Sequence, residues 1–401
     1  MALPDVRIIK GRGGLGRQRP TEDGISGLVT QGVAVATPGG LQLNTPYEIR
    51  SLRQLEALGV DADYDATNSA DLHYHASEFF RQSQGGVLWL LVAARTVSMA
   101  TLADRTATYA KRLLTEAGGK IKQLAICLDS AAGYVATSVD GLDGDLVAAL
   151  PKAQALAAEE FVQHRPVVIV LGGHGLAANL GGVLDLREQN CENVAVVIGA
   201  DQLTKPGVPA VGTLLGTLSY AQVHENIGWL DKFNLASDGR FLSAGLANGK
   251  ALGELLPGDL EGLHAKGYLL AMPHVGFDGF YWNDSHTCTN LASDYAYLEN
   301  VRTLGKAARV VRAALLPSLK GPLPLNADGT LRASAVGELE AKGKSALDAN
   351  LGRAGEISAS DVYIDPAQDV LATSVVSVNF TIVPVGTARE IVATVGFAKS
   401  V

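Results

Sequence analysis

The sequence has few cysteines, few charges for its length and no strong excess of basic residues. Its three cysteines, Cys127, Cys191 and Cys288, are odd in number and far apart, which argues against a disulfide framework or a zinc-finger spacing and suits a reducing compartment. The 33 basic against 41 acidic residues give a net charge of −8, which excludes the basic footprint of a nucleic-acid-binding protein.

Long apolar segments of the membrane-spanning kind are also missing. Two uncharged runs, Val167–Leu184 and Pro206–Val223, approach the length of a span, but glycines and polar side chains interrupt both. We interpret them as core segments and expect no direct insertion into a membrane. The first ten residues lack the apolar centre of a secretory signal, so we expect no secretory signal there.

What is present is a core-forming composition, with 47% hydrophobic and 18% charged residues. Apolar strand patterns alternate with helical periodicities, which predicts an α/β fold with a largely parallel sheet, flanking helices and extended N- and C-terminal β arms. The predicted strands are 87–92, 121–128, 167–171, 194–199 and 267–272. The predicted helices are 45–58, 69–82, 100–117, 144–164, 176–189, 208–223, 292–318 and 332–350.

Changes in pattern along the chain predict five parts. They are an N-terminal arm at 1–32, a first α/β part of the core at 33–98, a central α/β region at 99–290, a helical C-terminal part of the core at 291–374, and a C-terminal β arm at 375–401.

Two glycine-rich motifs resemble cofactor sites but fail in their context. G-R-G-G-L-G at 11–16 has dinucleotide-binding spacing, yet Pro20 disfavours the helix that must follow. G-K-S at 343–345 lacks both the upstream glycine at the P-loop spacing and a preceding strand. We therefore expect no cofactor.

A polar cluster, W-N-D-S-H-T-C-T at 282–289, places Asp284, His286 and Cys288 at alternate positions. A cysteine–histidine or metal site is conceivable there, but further ligands are not evident nearby, so an ordered loop is the favoured interpretation. An α/β enzyme would use this cluster or Gly172–Gly175, at the carboxyl edge of the sheet. With no enzyme motif in a suitable context, we predict no catalytic or metal residues.

The last 27 residues predict two strands joined through P-V-G-T-A-R. Apolar residues alternate in each, as in strands with one buried face, and an open edge of this kind invites pairing with another chain. We predict an inter-subunit arm from these residues and the apolar start of the chain. Its candidate residues are Val6, Ile8, Val376, Val378, Phe380, Ile382, Ile391, Val395 and Phe397.

A basic stripe follows the helix predicted at 292–318. Its members, spaced four, three and three residues apart, fall within about one-third of the helix circumference. They are Arg302, Lys306, Arg309 and Arg312. The stripe is either a solvated helix face or a contact surface for an acidic partner.

The order of several passages resembles the tail sheath proteins of contractile phage tails and related contractile injection systems. V-R-I-I-K-G-R-G-G-L-G-R resembles the N-terminal arm of that family, and T-P-Y-E-I-R-S-L-R-Q-L-E-A-L-G its early helix. G-F-Y-W-N-D-S-H-T-C-T followed by E-N-V-R-T-L-G-K resembles its polar loop and following helix. V-S-V-N-F-T-I-V-P-V-G-T-A-R-E-I resembles its closing strands.

The resemblance implies a structural subunit that polymerises as stacked hexameric rings around an inner tube and contracts to drive the tube through a target envelope. It implies further copies of the chain, an inner tube protein, and baseplate and tail-terminator proteins as partners. It also implies synthesis and assembly in the bacterial cytoplasm, as part of a virion tail or injection particle. On this reading the basic stripe becomes a candidate tube-facing contact. A cytoplasmic α/β enzyme and a non-contractile tail or tube scaffold remain alternatives.

Overall fold

The computed structural model describes residues 22–130 and 133–397. The chain divides into two compact units, Met1–Gly305 and Lys306–Val401. The predicted residues Val6 and Ile8 and the glycine motif at 11–16 lie outside the described residues.

Strands and helices alternate through most of the described chain. The strands are β1 (Ser26–Gly32), β2 (Tyr47–Ile49), β3 (Leu88–Ala94), β4 (Gln123–Ile126), β5 (Ser138–Val139), β6 (Leu142–Asp143), β7 (Val168–Gly172), β8 (Val194–Val197), β9 (Gly199–Asp201), β10 (Ala244–Leu246), β11 (Ala271–His274), β12 (Phe277–Trp282), β13 (Ile357–Tyr363) and β14 (Asn379–Pro384). The helices are α1 (Leu52–Ala57), α2 (Ala62–Asn68), α3 (Leu72–Gln82), α4 (Met99–Leu102), α5 (Ala110–Glu116), α6 (Gly144–Val162), α7 (Val211–Tyr220), α8 (Asp259–Ala265), α9 (Leu298–Leu315), α10 (Ala333–Leu347) and α11 (Val370–Thr373).

The N-terminal unit is built on a six-stranded sheet with the order β2-β3-β1-β4-β7-β8. All its neighbouring strands run parallel except the edge pair β2 and β3. Parallel neighbours need crossover connections, and helices between the strands supply them. The predicted α/β class with a largely parallel sheet is confirmed.

Both faces of this sheet are buried, and adjacent residues of one strand serve different cores. On β7, Ile169 contributes to one hydrophobic cluster and Val170 to the other. Leu28 and Val29 on β1 divide in the same way. Because side chains alternate across a strand, a sheet covered on both faces must be apolar at consecutive positions. This explains the apolar start of the run at 167–184, which is β7, whereas the run at 206–223 is mostly the buried helix α7. No helix within 22–130 or 133–397 is long and apolar enough to cross a bilayer.

Helices α3 and α7 pack closely on one face of the sheet, and two glycines of α7 allow it. A Cβ added at Gly216 would lie 2.7 Å from the backbone oxygen of Phe79, and one at Gly212 would overlap the backbone oxygen of His75. The imidazole of His75 is fully buried, and neither ring nitrogen has a hydrogen-bond partner among the described residues.

Three predicted helices differ in the structure. The helix predicted at 45–58 begins only after Ser51, because the preceding residues pair with β3 as strand β2. The helix at 100–117 splits into α4 and α5, where Asp104 accepts hydrogen bonds from Thr106. The segment at 176–189 contains only a short 3₁₀ turn at Leu186–Glu188, since paired glycines lower its helix propensity.

The C-terminal unit pairs β13 with β14 in antiparallel fashion. The apolar residues that alternate along 376–382 pack against small cores of this same unit, on Leu347, Ile357 and Ile364 among others. The terminal hairpin predicted between 375–383 and 390–398 is therefore wrong. The partner of the first strand is β13, and the second segment forms no strand among residues 385–397.

The buried His75 makes the stability of the N-terminal unit sensitive to acid. Burial lowers the pKa of His75 from 6.5 to about 4, so the folded chain resists a proton that the unfolded chain accepts. The free energy of unfolding should therefore fall as the pH drops from about 6.5 to about 4, and His75 should account for roughly 3 kcal/mol of the loss. We expect His75→Leu to remove this part of the pH dependence.

Urea unfolding between pH 4 and pH 7.5, followed by tryptophan fluorescence, measures the effect, because Trp89, Trp229 and Trp282 all lie in the N-terminal unit. His73→Leu on the same helix is the matched control, since His73 lies beside Glu56 and not in the α3–α7 contact. Equal pH slopes for the wild type and His75→Leu would contradict the prediction.

Candidate functional site

The polar cluster predicted at 282–289 is an ordered, largely buried network in the N-terminal unit. The side-chain amide of Asn226 donates to Oδ1 of Asp284 at 2.6 Å and to Oγ of Ser285 at 3.2 Å. Ser285 in turn donates to Glu299, and its backbone oxygen accepts the amide of Leu298 at 2.8 Å. Asp284, Ser285 and Glu299 are each at most 5% exposed. The network fixes the start of α9 against the loop before it.

Beside this network, Arg187 orients two histidines. A guanidinium only donates, so its contact at 2.6 Å with Nδ1 of His286 makes that nitrogen the acceptor and places the proton of a neutral ring on Nε2. Nε2 lies 3.2 Å from Nδ1 of His264, which therefore accepts. Burial lowers the pKa of Arg187, but the guanidinium stays cationic at neutral pH.

These histidines are also the best arranged metal ligands of the described residues. One ligand atom each of His264, Asp284 and His286 lies within 4.8 Å of the others. However, Nδ1 of His286 accepts a hydrogen bond from Arg187, so a metal ion would need the lone pair on Nε2. That nitrogen carries the proton of the neutral ring. The adjacent buried guanidinium also repels a cation. The geometry therefore favours a hydrogen-bonded relay over a metal centre.

The structure separates Cys288 from the other two residues predicted with it. Its thiol lies in the apolar cluster on one face of the sheet, while Asp284 and His286 belong to the polar network. Burial raises the pKa of Cys288 well above its ordinary value, so the thiol is protonated and a poor nucleophile at neutral pH. Sequence spacing groups Asp284, His286 and Cys288. In the fold, Asn226 binds Asp284 and Arg187 binds His286, while Cys288 packs in the apolar cluster.

The second predicted enzyme position, Gly172–Gly175, is filled by its own chain. The amide of Gly173 donates to the backbone of Val197 at 2.7 Å, and the ring of His174 accepts the amide of Leu128 at 3.0 Å. A Cβ at Gly173 would lie 2.8 Å from the Val197 oxygen. These contacts pack the segment against the neighbouring strand and leave no open binding site for a ligand there.

The carboxyl edge of β1 and β4 is where the strand order reverses, the usual ligand position in such sheets. Asp129 stands there, and burial raises its pKa to about 6. Both of its oxygens are used within the chain, by the amide of Asp71 at 3.1 Å and by Arg95 at 3.1 Å. Sequence reasoning missed this group, whose only signal is an acidic residue directly after a buried strand. The ion pair between Asp129 and Arg95 therefore occupies the position where such sheets usually bind a ligand.

The predicted basic stripe is wrong for Arg302. Its side chain is only 5% exposed, and its guanidinium donates to the backbone oxygens of Leu218 at 2.8 Å, Ala221 at 2.9 Å and Gln222 at 3.2 Å. These carbonyls lie at and beyond the end of α7, where a helix leaves its last acceptors unpaired. Arg302 therefore caps α7 from within the fold.

Lys306 is also used internally, since it forms an ion pair with Glu356 at 2.7 Å in the C-terminal unit, where both side chains are largely buried. Arg309 is partly buried, and Arg312 is exposed. Only these last two remain predicted tube-facing residues.

The C-terminal end of the described chain has the strongest exposure of apolar side chains. Ile391, Val395 and Phe397 are 85%, 96% and 111% exposed. Several large apolar side chains exposed within one short segment are typical of an interaction site. The arm predicted at 375–401 thus has two different parts, an internal strand through Pro384 and an uncovered apolar segment at 385–397, which we call the apolar tail.

Replacing Arg302 with Met should destabilise the N-terminal unit by about 2–4 kcal/mol, because three backbone oxygens lose a charged, buried donor. Urea unfolding followed by tryptophan fluorescence measures this loss. Arg312→Met is the matched control, since it removes the same charge from an exposed position of the same helix. If both variants unfold at the wild-type urea concentration, Arg302 is not a structural cap.

Comparison with known proteins agrees with the fold described above. Across its whole length the chain matches the anti-feeding prophage (AFP) helical sheath in its contracted state, at 14% identity with a TM-score of 0.58 and 100% coverage of both chains. The sheath complex of the extracellular contractile injection system PVC matches at 13% identity with a TM-score of 0.58, over 100% of this chain and 98% of that chain. No curated protein sequence matches.

A crystal structure of the sheath tail protein Lin1278 from Listeria innocua matches at 11% identity with a TM-score of 0.55, over 90% of this chain and 92% of that chain. At such low identity these matches show a shared fold. Residues 3–286 match the DUF2586 N-terminal domain and residues 294–401 match the DUF2586 C-terminal domain. The chain therefore belongs to the DUF2586 family and has the fold of the contractile tail sheath proteins that the sequence resembles.

Proposed function

We propose that this protein is the structural subunit of a contractile sheath. The observation that carries the proposal is the fold, which matches sheath subunits of two contractile systems over essentially the full length of both chains. Subunits of this kind would polymerise as stacked hexameric rings around an inner tube and contract to drive it through a target envelope. The inner tube, the baseplate and a tail terminator would be the other partners, in a particle assembled in the bacterial cytoplasm.

The internal contacts support a structural role over an enzymatic one. The two positions proposed for an enzyme site, Gly172–Gly175 and the cluster at 284–288, are packed or hydrogen-bonded within the chain. Asp129, at the reversal of strand order, is paired with Arg95. A unit whose candidate ligand positions are filled by its own contacts suits a subunit that moves as one body during contraction.

The apolar tail supports assembly through the C-terminus. Its exposed apolar residues have no cover within the described chain, and an extended segment can gain backbone partners on the sheet of another subunit. The strand through Pro384 is held by β13 of its own unit, so the inter-subunit linkage would begin after that residue. In this proposal, Arg309 and Arg312 stay candidates for the surface that faces the tube.

Replacing Ile391, Val395 and Phe397 together with Asp should prevent polymerisation, because charged side chains cannot be buried against a neighbour. Negative-stain electron microscopy of the purified protein, with and without tubes of the inner tube protein, measures the outcome. Ribbed tubes are expected from the wild type and single particles from the variant. Unchanged tryptophan fluorescence would show that the N-terminal unit is still folded.

Val275→Asp is the matched control, because Val275 is 109% exposed in the turn between β11 and β12 and lies outside the tail. It should polymerise like the wild type. Ribbed tubes from the triple variant would rule out the tail as the linkage. Smooth, non-contracting tubes from the wild type would favour the tail or tube scaffold, and discrete particles under all conditions would favour the enzyme.

A further inference from the structure

Two of the three cysteines, far apart in sequence, face each other in the N-terminal unit. Cys191 and Cys288 form an isolated antiparallel β-bridge, and the amide of Cys191 donates to the backbone oxygen of Cys288 at 2.8 Å. The amide of Cys288 donates to Val194 at 2.7 Å, so both cysteines lie where the segment at 284–289 meets the start of β8. Both thiols are free, with the residues 3% and 0% exposed.

The geometry of a β-bridge suits a disulfide. Directly opposed residues of an antiparallel pair have Cα atoms about 4.5–5.5 Å apart, within the range of roughly 4.4–6.8 Å that disulfides span. Their side chains leave the bridge on the same side, and both cysteines belong to one apolar cluster. The pKa of Cys288 is raised first by burial and then by the proximity of Cys191. Cys127 belongs to the cluster on the opposite face of the sheet.

We propose that Cys191 and Cys288 are a redox-sensitive pair that forms an intramolecular disulfide when the protein meets a low-molecular-weight disulfide such as oxidised glutathione. One cysteine thiolate attacks a sulfur of oxidised glutathione and releases one glutathione thiolate. The second cysteine thiolate then attacks the protein sulfur of the mixed disulfide and releases the other. The two protons of the cysteines pass to the two glutathione thiolates, and two electrons reduce the oxidant.

Burial sets the rate of this reaction and the native structure sets its equilibrium. The raised pKa of both thiols, about 11 for Cys191, keeps them protonated and slow to react while the chain is closed. Once formed, the bond would fasten the segment that precedes α9 to the sheet edge and close a loop of about 100 residues. The protein would be reduced in the cytoplasm and oxidised outside it. This inference does not depend on the proposed function.

The test compares the equilibrium of the full chain with glutathione in buffer and in 8 M urea, approached from both the reduced and the oxidised protein. After acid quench and alkylation, intact mass and peptide mapping report the linkage. We expect a Cys191–Cys288 disulfide with Cys127 alkylated, and an equilibrium constant larger in buffer than in urea by about 100-fold or more, because the folded chain holds the two residues together.

An equilibrium constant equal to or smaller than that in urea would overturn the proposal, since native geometry would then resist the bond. A disulfide involving Cys127, or one between two chains, would overturn it as well. Cys127→Ala should keep the wild-type equilibrium, and Cys191→Ala should leave two alkylated thiols. Because the decisive comparison uses the wild-type chain, it does not require either variant to fold.

Discussion

The N-terminal unit depends on one constraint, the burial of both faces of a parallel sheet. Such a sheet can be stable only if helices cover it on each side, since its strands are apolar at consecutive positions. Covering one face brings α3 and α7 so close that Gly212 and Gly216 are needed at the contact. The same requirement leaves the end of α7 inside the fold, where water cannot satisfy its carbonyls. Arg302 does so instead.

Much of this architecture could be predicted from the sequence, because the period of apolar residues reports local structure directly. Strands β3, β4, β7 and β8 and helices α3, α6, α7 and α10 lie close to their predicted positions. The helix predicted at 45–58 was partly wrong because a distant partner decided its conformation. Pairing with β3 turned its first turn into strand β2.

The site residues show the same division between local and distant information. The segment at 282–289 was recognised as polar, but Asn226, Arg187 and His264, which give its members their roles, come from three other parts of the chain. The spacing of Arg302 and Lys306 correctly placed them along one helix, yet helical spacing assumes that charges face water. Backbone oxygens eighty residues earlier and a carboxylate fifty residues later supplied buried partners that no periodicity reveals.

The cap on α7 also has a consequence for the order in which the chain is made. Arg302 leaves the ribosome 84 residues after Leu218, whose carbonyl it binds. Until then α7 has an open end, and the face of the sheet that it covers cannot reach its final packing. Folding of the N-terminal unit is therefore completed by a residue near its own C-terminal boundary, after all the strands of its sheet have been synthesised. A nascent chain halted just before α9 would hold every strand of that sheet and still lack the contact that closes it.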